Sequence, residues 1–160
     1  MGARAEQLAR KFDESCAEFN KVVEGLSDAD WKNVTSAEKW PLGVVAHHVA
    51  EGHAGIGGLV HRVGKAEPLP GLTMDMIHAG NARHAKEYAN VTKAETLALL
   101  KTNGEKTRAL VRALSDEELD RSASVLAGMP AMTAAQAIDG ILINHVREHL
   151  GSIRATIGTK

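Results

Sequence analysis

Asn144-His145-Val146-Arg147-Glu148-His149 places two histidines four residues apart near the end of the chain. Residues at that spacing on a helix project from one face about a turn apart, so two imidazoles can hold one ion. His48 lies in an earlier stretch, eight residues after Trp40. If it faces the same core, the set becomes three neutral nitrogens with coordination positions left for water or substrate. Such a set suits zinc, nickel, copper or iron, and its type alone does not choose among them.

Those residues need helices to hold them, and the chain supplies four long ones. The first is expected over about 3–25, with Phe12, Cys16, Phe19 and Val23 on one side and Gly25 as its stop. Ser27 is a candidate cap, and 28–39 reads as a polar loop anchored by Trp31. Pro41 suits the first position of a second helix, which carries Leu42, Val45, Val49, Ile56, Leu59 and Val63. Glu67-Pro68-Leu69-Pro70-Gly71 breaks it. A helical stretch then begins at Thr73 and is interrupted near Asn90-Val91.

Thr92-Lys93-Ala94-Glu95 is a capping box that opens a further helix, with a possible bend at Asn103-Gly104. Ser115-Asp116-Glu117-Glu118-Leu119 reads as a capped short turn. A second box, Thr133-Ala134-Ala135-Gln136, opens the last helix, which runs to about Ile157. No strand-like alternation is visible. The expected fold is all-α: one domain over 1–160, a four-helix bundle with a long connection between its second and third helices.

The chain has eight histidines, and helical phase sorts them. At about 100° per residue, His48 falls at the edge of the core-facing sector of the second helix and His53 on its other flank. His47 and His61 fall near the opposite side and read as solvated. His48 is therefore the first candidate for a third ligand and His53 the reserve, while the His47-His48 doublet leaves the choice open. His145 and His149 lie in the apolar sector of the last helix. Burying them is costly unless each is hydrogen-bonded or metal-bound, and satisfied core histidines are the plain alternative. His78 and His84 read chiefly as surface residues. Glu51, Asp139 and Glu148 lie off or at the border of the apolar stripes, which disfavours a di-iron carboxylate centre.

Composition narrows the classes further. The 160 residues are 44% hydrophobic, 24% charged and only 3% aromatic, the profile of a soluble helical protein. A net charge of -1 with interspersed signs argues against nucleic acid as a partner. No signal peptide or membrane-length apolar run is seen, so a cytoplasmic location is expected. Cys16 is the one cysteine and falls in the first apolar stripe, where it reads as a small hydrophobe rather than a nucleophile.

Trp40 with His48, and His145 and His149 followed by Leu150-Gly151-Ser152-Ile153-Arg154, resemble the DinB-like superfamily of bacterial four-helix-bundle proteins. Thr92-Lys93-Ala94-Glu95-Thr96-Leu97 and Leu114-Ser115-Asp116-Glu117-Glu118-Leu119-Asp120 are similar to the same family. Pro41 stands where that family usually has a small hydroxyl residue, and Gly43-Val44 where a polar or acidic one is frequent. The resemblance implies one divalent metal ion, zinc or nickel, on His48, His145 and His149. It implies a homodimer and, from relatives that use bacillithiol or mycothiol, a low-molecular-weight thiol as co-substrate.

The function expected on these grounds is a metal-dependent thiol S-transferase, or a related hydrolase-type enzyme, acting on a small electrophile. Met74, Met76 and the 124–132 loop are expected to line its open face, and no general base is evident. The rivals are a non-catalytic or stress-related metal-binding bundle and a metal-free module that binds a ligand or partner.

Overall fold

The computed structural model describes residues 2–158 and is mostly helical. Helix α1 (Ala3–Glu24) buries Ala5, Ala9, Phe12, Cys16, Phe19 and Val23, a stripe at the helical period that forms one wall of the core. Short α2 (Asp28–Lys32) is closed at its start by a Ser27–Asp30 capping box. Helix α3 (Leu42–Lys65) is the most buried element, and α4 (Met74–Glu87) buries no residue fully. Helix α5 (Lys93–Arg112) and the short α6 (Asp116–Asp120) begin at the Thr92–Glu95 and Ser115–Glu118 boxes. The last helical run comprises α7 (Ala134–Ala137), a π-helical turn (Ile138–Ile143) and α8 (Asn144–Ile157).

Four of these elements make the bundle. Helix α5 lies between α1 and α3, and the last run closes the ring by touching both α3 and α1. Helices α1 and α3, consecutive long helices, therefore sit on a diagonal, and residues 25–41 cross between them. The second connection, from α3 to α5, is long although its helices are neighbours, because it carries α4 across the outside. Side chains of α5 fix α3 in place. Asn103 Nδ2 donates to the Ala50 carbonyl at 2.9 Å and Thr107 Oγ1 to the His53 carbonyl at 2.7 Å. A Cβ at Gly57 would fall 2.7 Å from Thr107, so glycine permits that approach.

Several local expectations change. Gly25 ends α1 in the right-handed region, at φ -80°, so its freedom at positive φ is not what stops the helix. Pro41 precedes α3 rather than opening it. It has no side-chain cap to offer, and the Leu42 N–H instead donates to the Asn33 carbonyl at 2.8 Å. That bond, with Thr35 N–H to the Trp40 carbonyl at 2.9 Å, folds 33–42 back on itself. The 28–39 stretch is thus a short helix and a pinned turn. Gly43 leaves space for the Trp31 indole, which a Cβ would meet at 2.4 Å. Helix α5 runs through Asn103-Gly104 as one element. A minimal antiparallel ladder, Ser122–Ala123 with Met132–Thr133, closes the loop before the last helix, and two-residue strands leave no periodicity to read.

Candidate metal centre

His48 on α3 and His145 and His149 on α8 meet at one end of the cleft between those helices. A ligand nitrogen of each lies within 4.8 Å of the other two. Nε2 of His145 is 3.0 Å from Nε2 of His48, and the three ring centroids are 4.6–4.9 Å apart. Gly52, one turn beyond His48, makes the approach possible, because a Cβ there would fall 2.5 Å from His145 Cε1.

Glu38 completes the cluster. His149 Nδ1 donates to its Oε1 at 2.9 Å, and the two side chains are 14% and 12% exposed. With the proton held on Nδ1, the Nε2 lone pair of His149 is free, an arrangement that orients an imidazole for an ion. Burial works against the Glu38 charge, but Thr35, Ser152 and His149 more than offset it and hold the carboxyl below its ordinary range. Its Oε2 is buried without a hydrogen-bond partner. The Glu38 backbone N–H donates to Thr35 Oγ1 at 3.2 Å. Lys39, between Glu38 and Trp40, adopts φ 65°, a left-handed conformation unusual for a side chain larger than glycine. That turn directs Glu38 to His149 and Trp40 edge-on to His48, at 5.2 Å between centroids.

The protonation states suit an ion. Burial, with the neighbouring His149 and His84, pushes His48 down to about 3. Burial again, then His149 and His48, pushes His145 down to about 2. Both rings are neutral at ordinary pH. Three imidazole nitrogens around a tetrahedral zinc, at bonds of about 2.0–2.1 Å, lie about 3.3 Å from one another. The observed cluster fits that requirement with small side-chain adjustments, and among the described residues it is the one group of three such donors so close together.

The other histidines divide differently from their helical phases. His53, the reserve, is 1% exposed but faces the α1 side, edge-on to Phe12 and 3.6 Å from Cys16 Sγ. It does not join the cluster. His47 is not solvated: it is 5% exposed, stacks on Tyr88 at 4.0 Å and lies 2.8 Å from His84 Nε2. The wheel of α3 placed it outside the bundle, and α4 covers that outside face. His84 is half-buried rather than a plain surface residue, packing 5.6 Å from the His48 ring with its Nδ1 unpartnered. His78 is exposed and His61 half-buried.

Cys16 is buried, and burial raises its thiol to about 12, which removes it as a nucleophile. Asp139 pairs with Lys11, and Glu51 and Glu148 are exposed. Glu38 is the functional-site candidate that sequence reasoning missed, since it lies in the stretch read as loop. Its place just ahead of Trp40 was the available signal.

Beside the cluster opens a cleft of about 800 Å³. Ile56 and Leu59 of α3, Leu72, Met74 and Ile77 of the long connection, and Ile141 of the π-helical turn supply its apolar walls. Met74 and the 125–126 part of the loop line it as expected, whereas Met76 is half exposed and stands apart from it. No helix among the described residues is long and apolar enough to cross a membrane.

The fold has solved counterparts. A mycothiol-dependent maleylpyruvate isomerase superposes with a TM-score of 0.75 at 12% identity, covering 96% of this chain and 63% of that one. A histidine-to-alanine mutant of it gives the same score at 11% identity. YfiT from Bacillus subtilis, described as a probable metal-dependent hydrolase with an unusual four-helix bundle topology, also superposes at 0.75. It is 17% identical over 100% of this chain and 91% of its own. The chain thus spans under two thirds of the isomerase, and at these identities the likeness is one of fold. No curated protein matches the sequence. The sequence pattern of the DinB superfamily, by contrast, matches residues 11–153, nearly the whole bundle, and the chain belongs to that superfamily.

Proposed function

We propose that the chain is a divalent-metal-binding protein, with His48, His145 and His149 as ligands, that joins a low-molecular-weight thiol to a small electrophile. The observation that carries the metal reading is the convergence of three imidazole nitrogens within 4.8 Å of one another at the end of an apolar cleft. When bound, a divalent ion there supplies Lewis-acid activation of a thiol or a water as nucleophile. The protein's own residues do the rest. His48 and His145 stay neutral because they are buried, and Glu38 holds the tautomer and orientation of His149. Trp40 packs against His48, and the cleft keeps bulk water from an electrophile bound beside the cluster.

The position of the ligands favours a working site over a purely structural one. They come from α3 and α8, helices in contact whose Val45, Val49, Val146 and Leu150 belong to one buried core, so the bundle has a core without an ion. The similarity to a mycothiol-dependent enzyme supports thiol chemistry, and that to a probable metal-dependent hydrolase supports the ion. Zinc and nickel are the ions proposed. The test is thiol consumption in the presence of a halogenated or epoxide electrophile, using zinc- or nickel-loaded protein and a panel of bacterial thiols. Turnover that disappears in a folded His145→Ala variant supports the reading. Metal-loaded protein that conjugates none of the panel removes thiol transfer from it.

A further inference from the structure

The cleft is longer than a small electrophile needs. His48, Gly52, Ile56, Leu59 and Arg62 follow one another along a single face of α3, and all line it. From His48 to Arg62 that face extends about 21 Å at 1.5 Å per residue. A Cβ built at Gly55 or Gly58 meets nothing within 4 Å, so the floor is open between the two ends.

The ends differ in charge. Glu38 and Glu148 flank the histidines, and Arg62 is the cation at the far end. Its exposed guanidinium donates to the Pro68 carbonyl at 2.9 Å and, among the described residues, makes no ion pair with a carboxylate, although Glu67 lines a second pocket beside it. Most of its fork of donors is therefore left for a ligand, and that fork matches an oxyanion better than any other group. The volume falls in the range of small-molecule sites, and walls of branched aliphatic and methionine side chains suit a flexible hydrocarbon.

We propose that the substrate is an elongated molecule with an apolar chain and a terminal carboxylate. Its reactive end lies at the three histidines, its chain along the glycine face of α3, and its carboxylate on Arg62. Which end reacts rests on the metal-site reading above; the binding polarity does not.

Calorimetric titration of the full-length protein with decanoate and with decan-1-ol tests the assignment, run on zinc-loaded and on metal-stripped samples whose metal content is measured in parallel. Saturable decanoate binding, at least tenfold tighter than decanol in both samples, is expected. Arg62→Gln should bring decanoate down to the level of decanol and leave decanol unchanged. Gly58→Leu, at a position with open space around it, should abolish binding of both without altering zinc content or lowering the melting temperature.

No saturable decanoate binding by a zinc-loaded protein overturns the proposal and leaves the metal site standing. A preference for decanoate that survives Arg62→Gln but vanishes with the metal also overturns it, because the ion would then be reading the carboxylate. Arg62-dependent binding by a protein that takes up no metal sustains the proposal and removes the metal reading instead.

Discussion

A side chain at position 52 and the observed ring of His145 cannot coexist: the Cβ of an alanine there falls 2.5 Å from His145 Cε1. The glycine that weakens α3 as a helix is what allows an imidazole from α8 to reach His48. Gly52→Ala should therefore leave a folded protein, since alanine in a helix interior is favoured over glycine by about 1 kcal/mol. Metal affinity should nevertheless fall by at least about tenfold, as for changes that disturb ligand orientation. Competition against a chelating dye, with the melting temperature of the metal-free protein alongside, checks both halves.

Glu38→Gln keeps the size of the side chain while removing the charge that holds His149 Nδ1–H. The amide can present either its oxygen or its NH2 to the ring, so orientation becomes weaker rather than lost. An affinity loss of about 10–100-fold is expected for removal of such a partner. The same competition measurement reads it, and an affinity equal to wild type would mean that the 2.9 Å contact does not tune the site.

The buried histidines make the metal-free protein acid-sensitive, and the sign follows from their direction of shift. Burial lowers His53 to about 4, His48 to about 3 and His145 to about 2, against an ordinary value of 6.5. Below about 6.5 the unfolded chain binds protons that the folded chain refuses, so stability is complete above that pH and is lost as pH falls toward the folded values. Each such group contributes a slope of up to about 1.4 kcal/mol per pH unit. His53 stands apart from the three-histidine cluster, so His53→Gln should flatten part of the dependence between pH 6.5 and 4. Denaturant midpoints of metal-stripped protein across that range measure it.

Much of the bundle is legible in local sequence because its signals are local. The Thr92–Glu95, Ser115–Glu118 and Thr133–Gln136 boxes start helices where they stand, and the i, i+4 pair of His145 and His149 needs only one helix to become neighbours. What stays hidden depends on elements distant in sequence. His47 reads as solvated from its helical phase because α4, from the long connection, covers a face that the four-helix core leaves bare. Glu38 lies in a stretch that reads as loop because its position comes from a turn pinned by Asn33, Thr35 and Trp40 rather than from periodicity. The π-helical turn at Ile138–Ile143 departs from the 3.6-residue period that such a reading assumes, so it leaves no sign in the apolar pattern.

Elemental analysis of untagged protein tests most directly whether His48, His145 and His149 hold a divalent ion. Freshly purified wild type and the double variant His145→Ala, His149→Ala would be compared after exposure to equal zinc or nickel and desalting. Close to one ion per chain in the wild type and essentially none in the folded double variant is the result expected. A wild type that retains no ion, or a double variant that retains as much, would contradict it.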